Sequence, residues 1–296
     1  MNADPPIGYM ERTRAYYAAL GYPAPYRWAR HDDVPFLPLT KPLRKSRLAL
    51  VTTATPLAAG TPLTAPLVYD GAAKFFSVLS GDSAAAPDLR INHVAIDFAH
   101  TTGMDQASYF PLAALQRAAA AGRIGGVAPR FHCVPTDRSQ RATRESYAPE
   151  LLARLRADGV DAALLVPNCP VCHQSLSLVA RHLEAHGIAT AIMGAARDIV
   201  EHAGVPRFLF SDVPLGNAAG KPHDVAAQDK TLDLALDLLE QATAPRTTWV
   251  SPLRWSEDSS WKRDYGRIDH LSPQEKQRLR AEFDAVKAVA QEKKQA

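Results

Sequence analysis

Short apolar runs alternate with helix-type patterns along most of the chain, and this alternation restricts the fold more than any other feature. The runs have the length and composition of buried strands. They lie at residues 48–53, 91–98, within 124–134, and at 161–168, 188–193 and 207–211, the last of which we expect to be the final strand. Buried strands separated by helices indicate an α/β fold, in which a mainly parallel sheet has helices on both faces.

The two ends of the chain lack this alternation. We therefore predict an N-terminal extension at residues 1–45, an α/β domain at 46–243 and a C-terminal arm at 244–296. The arm begins with an irregular stretch that holds three tryptophans, and Ser272-Pro-Gln-Glu275 then forms a capping box that starts a helix. We expect the arm to pack across the domain or against a partner subunit, and a lid over the substrate is the alternative.

Composition excludes several classes of function. The 296 residues are 46% hydrophobic and 22% charged, with a net charge of only +3, which is typical of a globular domain with an ample core. The densest basic run, residues 41–47, has the character of a solvated linker, so we expect no nucleic-acid partner. No apolar run is long enough to span a bilayer and the N-terminus does not resemble a signal peptide, so we expect a cytoplasmic protein with no membrane partner.

Cys169-Pro-Val-Cys172 is the motif that carries chemistry. It lies between the predicted strand at 161–168 and a helix on which Leu176 and Leu183 share one face, and a helix N-terminus lowers the pKa of a thiol. In a reducing cytoplasm such a pair is more often catalytic than structural. We expect Cys169 to be the exposed nucleophile, and Cys172, one turn further on, to be the shielded resolving thiol.

Two other interpretations of the pair remain open. A zinc site normally needs a second pair of ligands at close spacing, and the sequence offers only Cys133 and scattered histidines. Alternatively, the cysteines are small buried hydrophobic residues. No Gly-x-Gly-x-x-Gly follows a predicted strand, and the glycines of residues 216–221 are too closely spaced for a phosphate-binding loop. We therefore expect no metal and no cofactor.

Three further residues are candidates for the site. His173 adjoins Cys172 and could tune a thiolate or donate a proton, although a solvated side chain in the first helical turn is the simpler interpretation. His100 follows a predicted strand and is a candidate acid or base, the alternative being a loop histidine with its hydrogen bonds satisfied. Cys133 has the pattern of a buried strand residue. We expect these strand ends, with the loop around Gly216, to share one edge of the sheet.

Together with the cysteine motif, three blocks of the chain resemble the selenoprotein B family of glycine, sarcosine and betaine reductases, which includes a D-proline reductase subunit. The blocks cover residues 110–129, 157–174 and 210–222, and the likeness extends over about residues 45–242. In selenoprotein members the position of Cys169 holds selenocysteine, and a cysteine matches Cys172. The resemblance implies a reductase in which the first chalcogen attacks the substrate and the second cysteine resolves the adduct.

The resemblance also implies partners. A dithiol donor such as thioredoxin would reduce the oxidised pair again, and a second reductase subunit would help to hold a small-molecule substrate; we also expect a homo-oligomer. Because Cys169 has sulfur where the family has selenium, and a thiolate is the poorer nucleophile and leaving group, only the redox role is carried over and not the substrate. A redox sensor or soft-metal-binding protein is the alternative function. A two-cysteine isomerase is disfavoured, because the three-residue spacing puts both thiols on one side of a ligand.

Overall fold

The computed structural model describes residues 4–22, 24–56, 69–85, 87–91, 93–266 and 271–295. The strands in this part of the chain are β1 Arg47–Thr52, β2 Thr55–Pro56, β3 Leu79–Asp82, β4 Leu89–Arg90, β5 Gly126–Val127, β6 Arg130–Cys133, β7 Ala162–Val166, β8 Ala189–Gly194, β9 Arg207–Phe210 and β10 Thr247–Val250. The α-helices are α1 Tyr9–Ala19, α2 Leu112–Ala120, α3 Gln140–Ala142, α4 Ala148–Ala157, α5 Pro170–Ala185, α6 Arg197–Ala203, α7 Val225–Gln241 and α8 Pro273–Gln295. A π-helical segment, Thr143–Tyr147, joins α3 to α4.

The main sheet has the strand order β10-β9-β8-β7-β1-β6-β3, and β5 pairs with β1. Only β3 at one edge runs antiparallel, so the predicted mainly parallel sheet is confirmed. Strand β6 lies on one side of β1 in the sheet, and strands β7 to β10 lie on the other side. Ligands of such sheets bind outside the carboxyl ends of the strands, where the strand order reverses, and here that position is the end of β1 and β7.

Helices cover both faces of the sheet, as predicted. On β1, Leu48 and Leu50 belong to one core layer, whereas Ala49 and Val51 belong to the other. This alternation follows from the two-residue period of a strand, and both layers are apolar because both faces are covered. Helices α2 and α7 pack on the first layer, and α4 and α5 pack on the second.

The predicted strand at residues 91–98 is wrong. The neighbouring strand β4 ends at Arg90, and the described residues of 91–98, which exclude position 92, have no strand and are mostly turns and bends. Asp97 accounts for the difference, because its carboxylate accepts hydrogen bonds from the backbone N–H groups of Ala99 and His100, each at 3.2 Å. Such side-chain bonds compete with a strand for the backbone donors.

The strand at 207–210 is not the last one. Strand β10 pairs in parallel with β9 over four residues and forms the edge of the sheet. Its sequence, Thr-Thr-Trp-Val, is partly exposed and lacks the apolar continuity of a buried strand. Trp249 therefore lies in a strand and not in an irregular stretch. The domain boundary at 243 stays a prediction, although the sheet gains this strand beyond it.

The two terminal segments pack on the domain and on each other. The predicted capping box is present: Glu275 N donates to Ser272 Oγ at 3.2 Å, and Ser272 N donates to Glu275 Oε2 at 2.8 Å. The ring of Phe283 on α8 lies 5.7 Å from that of Tyr17 on α1, and Tyr22 donates a hydrogen bond to Asp284 at 2.7 Å. Within the described ranges, no helix is both long and apolar enough to cross a membrane.

Candidate active site

The cysteine pair lies where β7 gives way to α5, at the carboxyl edge of the sheet. Cys169 is the N-cap of α5 and has an extended backbone conformation, and Pro170 occupies the first turn, where its missing N–H leaves no bond unmade. The preceding Asn168 is held to β1, because its backbone N–H and its side-chain amide both donate to Thr53 Oγ1, at 3.2 and 3.1 Å. The motif is therefore fixed across the two strands at the reversal of strand order.

The two thiols are adjacent and buried. Their Sγ atoms are 2.7 Å apart, and the backbone N–H of Cys172 donates to Cys169 Sγ at 3.3 Å. Cys172 is 0% exposed, which confirms its predicted shielded position. The expectation of an exposed Cys169 is wrong, since only 4% of its surface is accessible. A pair at this separation can exchange a proton and can form a disulfide with little rearrangement.

His93 is the third member of the site, and sequence reasoning missed it. One of its ring nitrogens and the two sulfurs lie within 4.8 Å of one another, and all three side chains are buried. Burial raises the pKa of the Cys172 thiol, but hydrogen bonding by Cys169, the charge and hydrogen bond of His93, and the Thr53 hydroxyl outweigh it and hold that pKa well below its ordinary value. The thiolate of the pair is thus stabilised on Cys172.

Cys169 has the opposite tendency. Burial, followed by its hydrogen bond to Cys172 and the charge there, raises the pKa of the Cys169 thiol well above its ordinary value, and the charge of Lys74 offsets this in part. The sequence-based assignment made Cys169 the readily ionised sulfur, because it counted only the helix N-terminus. The surrounding side chains reverse that order.

His173 is buried and holds the turn in place. Its Nδ1 donates to the carbonyl oxygen of Cys169 at 2.8 Å, and its Nε2 accepts from the backbone N–H groups of Ala195 and Ala196 at 3.0 and 3.2 Å. Burial lowers the pKa of His173 to about 4, so the ring is neutral at neutral pH. The solvated first-turn side chain is therefore wrong, and with both ring nitrogens engaged His173 connects the motif to the end of β8.

Replacing Gly194 by alanine should disturb this connection. A Cβ at Gly194 would lie 2.8 Å from Cδ2 and Nε2 of His173, so the ring would have to move and weaken its three hydrogen bonds. We expect the free energy of unfolding, measured by urea denaturation, to fall by about 1–3 kcal/mol. Gly126→Ala is the matched control, because no atom lies within 4 Å of its added Cβ. Equal losses in the two variants would contradict the role of His173.

His100 lies in a second cluster. Its Nδ1 is 3.1 Å from Asp97 Oδ1, its Nε2 is 3.5 Å from Asp264 Oδ2, and its ring meets the edge of Trp261. Asp97 lines a cavity of about 220 Å³ together with Tyr17 and Tyr265. The structure thus places His100 beside two carboxylates that line that cavity, and its acid–base role stays a prediction.

Cys133 is a buried strand residue, as its sequence pattern predicted. It ends β6, pairs with Thr52 of β1, and has a pKa that burial raises to about 12. The neighbouring His132 is also buried, where its Nδ1 lies 2.8 Å from Ser80 Oγ. Neither residue belongs to the His93 cluster.

One cavity adjoins the motif, and a second shares part of its lining. One, of about 300 Å³, is lined by Val171, which stands between the two cysteines, and by Tyr17, Arg138 and Phe283. The other, of about 230 Å³, shares Arg138 and Phe283 and adds Lys74. Arg138 has a left-handed backbone (φ 67°), and its guanidinium lies 5.0 Å and 5.5 Å from the ring centroids of Tyr17 and Phe283. The cavity beside Val171 therefore carries positive charge.

Comparison with known proteins identifies relatives that match 64% and 74% of the chain. The chain is 33% identical, over 193 residues, to D-proline reductase subunit gamma of Acetoanaerobium sticklandii, and the match covers 64% of this chain and 77% of that protein. The chain belongs to the selenoprotein B family of reductases. A second member, glycine reductase complex component B subunit gamma of Carboxydothermus hydrogenoformans, is 25% identical over 221 residues, or 74% of this chain.

This second match covers about half (49%) of the length of the glycine reductase subunit. No family model matches the chain, and no solved structure has significant similarity to it. Both relatives are subunits of reductases, so this family member has a reductase-related role. The resemblance stated from the sequence blocks is thereby confirmed.

In this selenoprotein B family member, Cys169, Cys172 and His173 lie together as their shared motif predicts, whereas His93 and Lys74 come from distant segments of the chain. His93 lies inside the predicted strand at 91–98, so nothing in the sequence marked it, whereas His100 follows that strand and was selected instead. Lys74 gave no sign at all, because an isolated lysine in a turn-rich segment has no distinguishing pattern. The spacing of residues in the sequence identifies groups that are close along the chain, but it does not identify residues that meet across the sheet.

Proposed function

We propose that this chain is a thiol-dependent reductase subunit in which Cys169 and Cys172 alternate between dithiol and disulfide. The observation that carries the proposal is the 2.7 Å separation of the two sulfurs at the N-terminus of α5. The unequal pKa values of the pair support it as well, because exchange between sulfurs needs a thiolate and a nearby second sulfur.

The proposed reaction has two covalent steps. The sulfur of Cys169 attacks an electrophilic atom of the substrate and displaces a leaving group, which takes one proton. Cys172 then attacks Cys169 sulfur, and the disulfide forms while the substrate fragment departs with the bonding electron pair and takes a second proton. The dithiol loses two electrons and two protons, and the substrate gains hydrogen in place of the leaving group.

Burial and charge suggest how the two sulfurs divide this work. Cys169 is the less deeply buried sulfur, and Val171 beside it lines a cavity, so Cys169 meets the substrate. The thiolate of Cys172 accepts the proton of Cys169 across their contact and so activates it. The leaving group of the first step takes that proton, which leaves Cys172 ionised for the second step. His93, whose charge stabilises the Cys172 thiolate, donates the second proton to the departing fragment.

Partners and substrate follow from the same cycle. A thioredoxin-like dithiol donor returns two electrons to the disulfide, which restores the dithiol. The relatives carry the names of reductase subunits, which supports a second subunit here, and we retain the homo-oligomer as a proposal. The substrate is a small molecule that enters beside Arg138, where positive charge favours an anionic group.

Intact-mass spectrometry of the oxidised and reduced protein tests the cycle. We expect oxidation to remove two hydrogens from the wild type and from Cys133→Ala, and none from Cys169→Ser or Cys172→Ser. With substrate present in alkaline solution, where Cys169 can ionise without Cys172, Cys172→Ser should accumulate an adduct on Cys169, whereas Cys169→Ser should accumulate none. An unchanged mass in the wild type rules out the disulfide, and an adduct on Cys172 reverses the two roles.

A redox sensor without turnover is the second candidate, and the deep burial of both sulfurs favours it. A sensor would form the disulfide with an oxidant but would not consume a dithiol donor continuously. Steady oxidation of added thioredoxin in the presence of substrate separates the reductase from the sensor.

A further inference from the structure

We propose that Cys169, Cys172 and His93, in the reduced protein, form a binding site for a zinc-class metal ion. One ligand atom from each residue lies within 4.8 Å of the other two, and each side chain is buried. Among the described residues, these three form the one group of cysteine, histidine or carboxylate side chains that is close enough together to hold an ion. The inference does not depend on reductase activity.

The state of His93 points to a ligand. Its side chain is 3% exposed, and among the described residues its Nδ1 has no hydrogen-bond partner. Buried polar atoms in proteins are rarely left unpaired, and an orphaned one calls for an explanation such as an ion. A buried imidazole that has one nitrogen close to two sulfurs and one nitrogen unpaired is suited to a metal.

The chemistry of the donors selects the ion. Two thiolates and one imidazole are nitrogen and sulfur ligands of the kind that bind Zn²⁺ and other soft or borderline ions, and they do not suit Mg²⁺ or Ca²⁺. Two thiolates also balance the charge of a divalent ion inside a buried site. Because thiols must lose their protons to bind, metal uptake should release protons.

The geometry requires one adjustment. Two Zn–S bonds of about 2.3 Å at a tetrahedral angle place the sulfurs roughly 3.7 Å apart, whereas they are 2.7 Å apart here. Rotation of the Cys169 and Cys172 side chains can supply the difference without a change in the backbone of the turn. Three protein ligands leave the fourth position of a tetrahedral site open, and Val171, between the two cysteines, borders a cavity.

The site would make metal binding and disulfide formation exclude each other. A bound ion occupies both sulfurs, so it protects the dithiol from oxidation and also keeps it from reacting. The disulfide offers no thiolate and cannot hold the ion. Metal binding is therefore a reversible inhibition of the redox cycle, and it is governed by the oxidation state of the same pair.

Titration of the reduced, chelator-treated protein with Co²⁺ tests the site. We expect one Co²⁺ per chain, with the ultraviolet absorbance of thiolate-to-cobalt charge transfer and release of protons, and displacement by Zn²⁺. Cys133→Ala should behave as the wild type. Cys169→Ser and Cys172→Ser should lose the charge-transfer absorbance or bind far more weakly, and His93→Gln should weaken binding at least tenfold.

Several results would overturn the proposal: no Co²⁺ bound by the reduced wild type, equal binding by the disulfide form, or wild-type affinity in His93→Gln. Protection of the wild-type cysteines from alkylation by Zn²⁺ gives a readout that needs no variant, and its absence also counts against the site. Formation of the disulfide is followed separately by mass, so loss of metal binding and loss of redox activity can be told apart.

Discussion

Replacing Cys172 by serine should leave the reduced protein without a thiolate at neutral pH. In the wild type, the lowered pKa of Cys172 keeps its sulfur ionised until the pH falls through that value. In the variant Cys169 remains, and because burial raises its pKa, it ionises only in alkaline solution. A thiol with an ordinary pKa is only about a few per cent ionised at neutral pH, and a raised pKa lowers that share further, so the thiolate content should fall by roughly thirtyfold or more.

The measurement is the ultraviolet absorbance of a thiolate followed as a function of pH. His93→Gln should move the wild-type midpoint upwards without removing it, because the imidazole stabilises the Cys172 thiolate. Cys133→Ala should leave the acidic midpoint unchanged, since burial raises the pKa of Cys133 to about 12. An acidic midpoint that persists in Cys172→Ser and vanishes in Cys169→Ser would show that the thiolate belongs to Cys169 instead.

Replacing Arg207 by methionine should cost about 3–5 kcal/mol of the free energy of unfolding, because it leaves a buried carboxylate without its partner. Arg207 Nη1 donates to Glu184 Oε1 at 2.8 Å, and both side chains are 0% exposed. The second carboxylate oxygen accepts from Leu37 N at 2.6 Å, and Arg207 Nη2 donates to Leu37 O, also at 2.6 Å. The ion pair therefore fastens the N-terminal extension to the sheet.

The pKa values of Glu184 and Arg207 show that the attraction between them only partly offsets the cost of burying both charges. Burial raises the pKa of Glu184 although Arg207 opposes it, and burial lowers the pKa of Arg207 although Glu184 opposes it. Combining Arg207→Met with Glu184→Gln should recover part of the loss, since no buried charge remains. Arg197→Met removes a half-exposed pair with Glu201 and should cost no more than about 1 kcal/mol. Urea unfolding curves compare the four proteins, and equal losses in Arg207→Met and Arg197→Met would contradict the argument.

Much of the fold was predictable because local sequence fixes it. The apolar run of β7, the proline after Cys169 and the face shared by Leu176 and Leu183 each specify one step of a strand–turn–helix unit, and the unit formed as expected. Edge strand β10 was not predictable in the same way, because its partly exposed residues show neither an apolar run nor strict alternation. Its place depends on the pairing with β9.

The site was predictable only where its residues are neighbours in sequence. The cysteine pair and the adjoining His173 came from one motif, but the role of His173 did not, since its bonds to Ala195 and Ala196 cross from α5 to the end of β8. His93 and Lys74 reach the pair through the fold of distant segments. The pKa values of the two thiols depend on groups such as His93 and Lys74. The spacing of the cysteines alone therefore predicted the wrong thiol to ionise first.

The contact between the terminal helices also bears on how the molecule assembles. The hydrogen bond of Tyr22 to Asp284 joins groups 262 residues apart, whereas the two cysteines meet within a single strand–turn–helix unit. Distant contacts form late in folding, because the entropy of closing a long loop must be overcome first. We expect the dithiol to be in place before α1 and α8 pack together over the cavity beside Val171. Oxidants present during synthesis should then reach the two sulfurs more easily than they do in the folded protein.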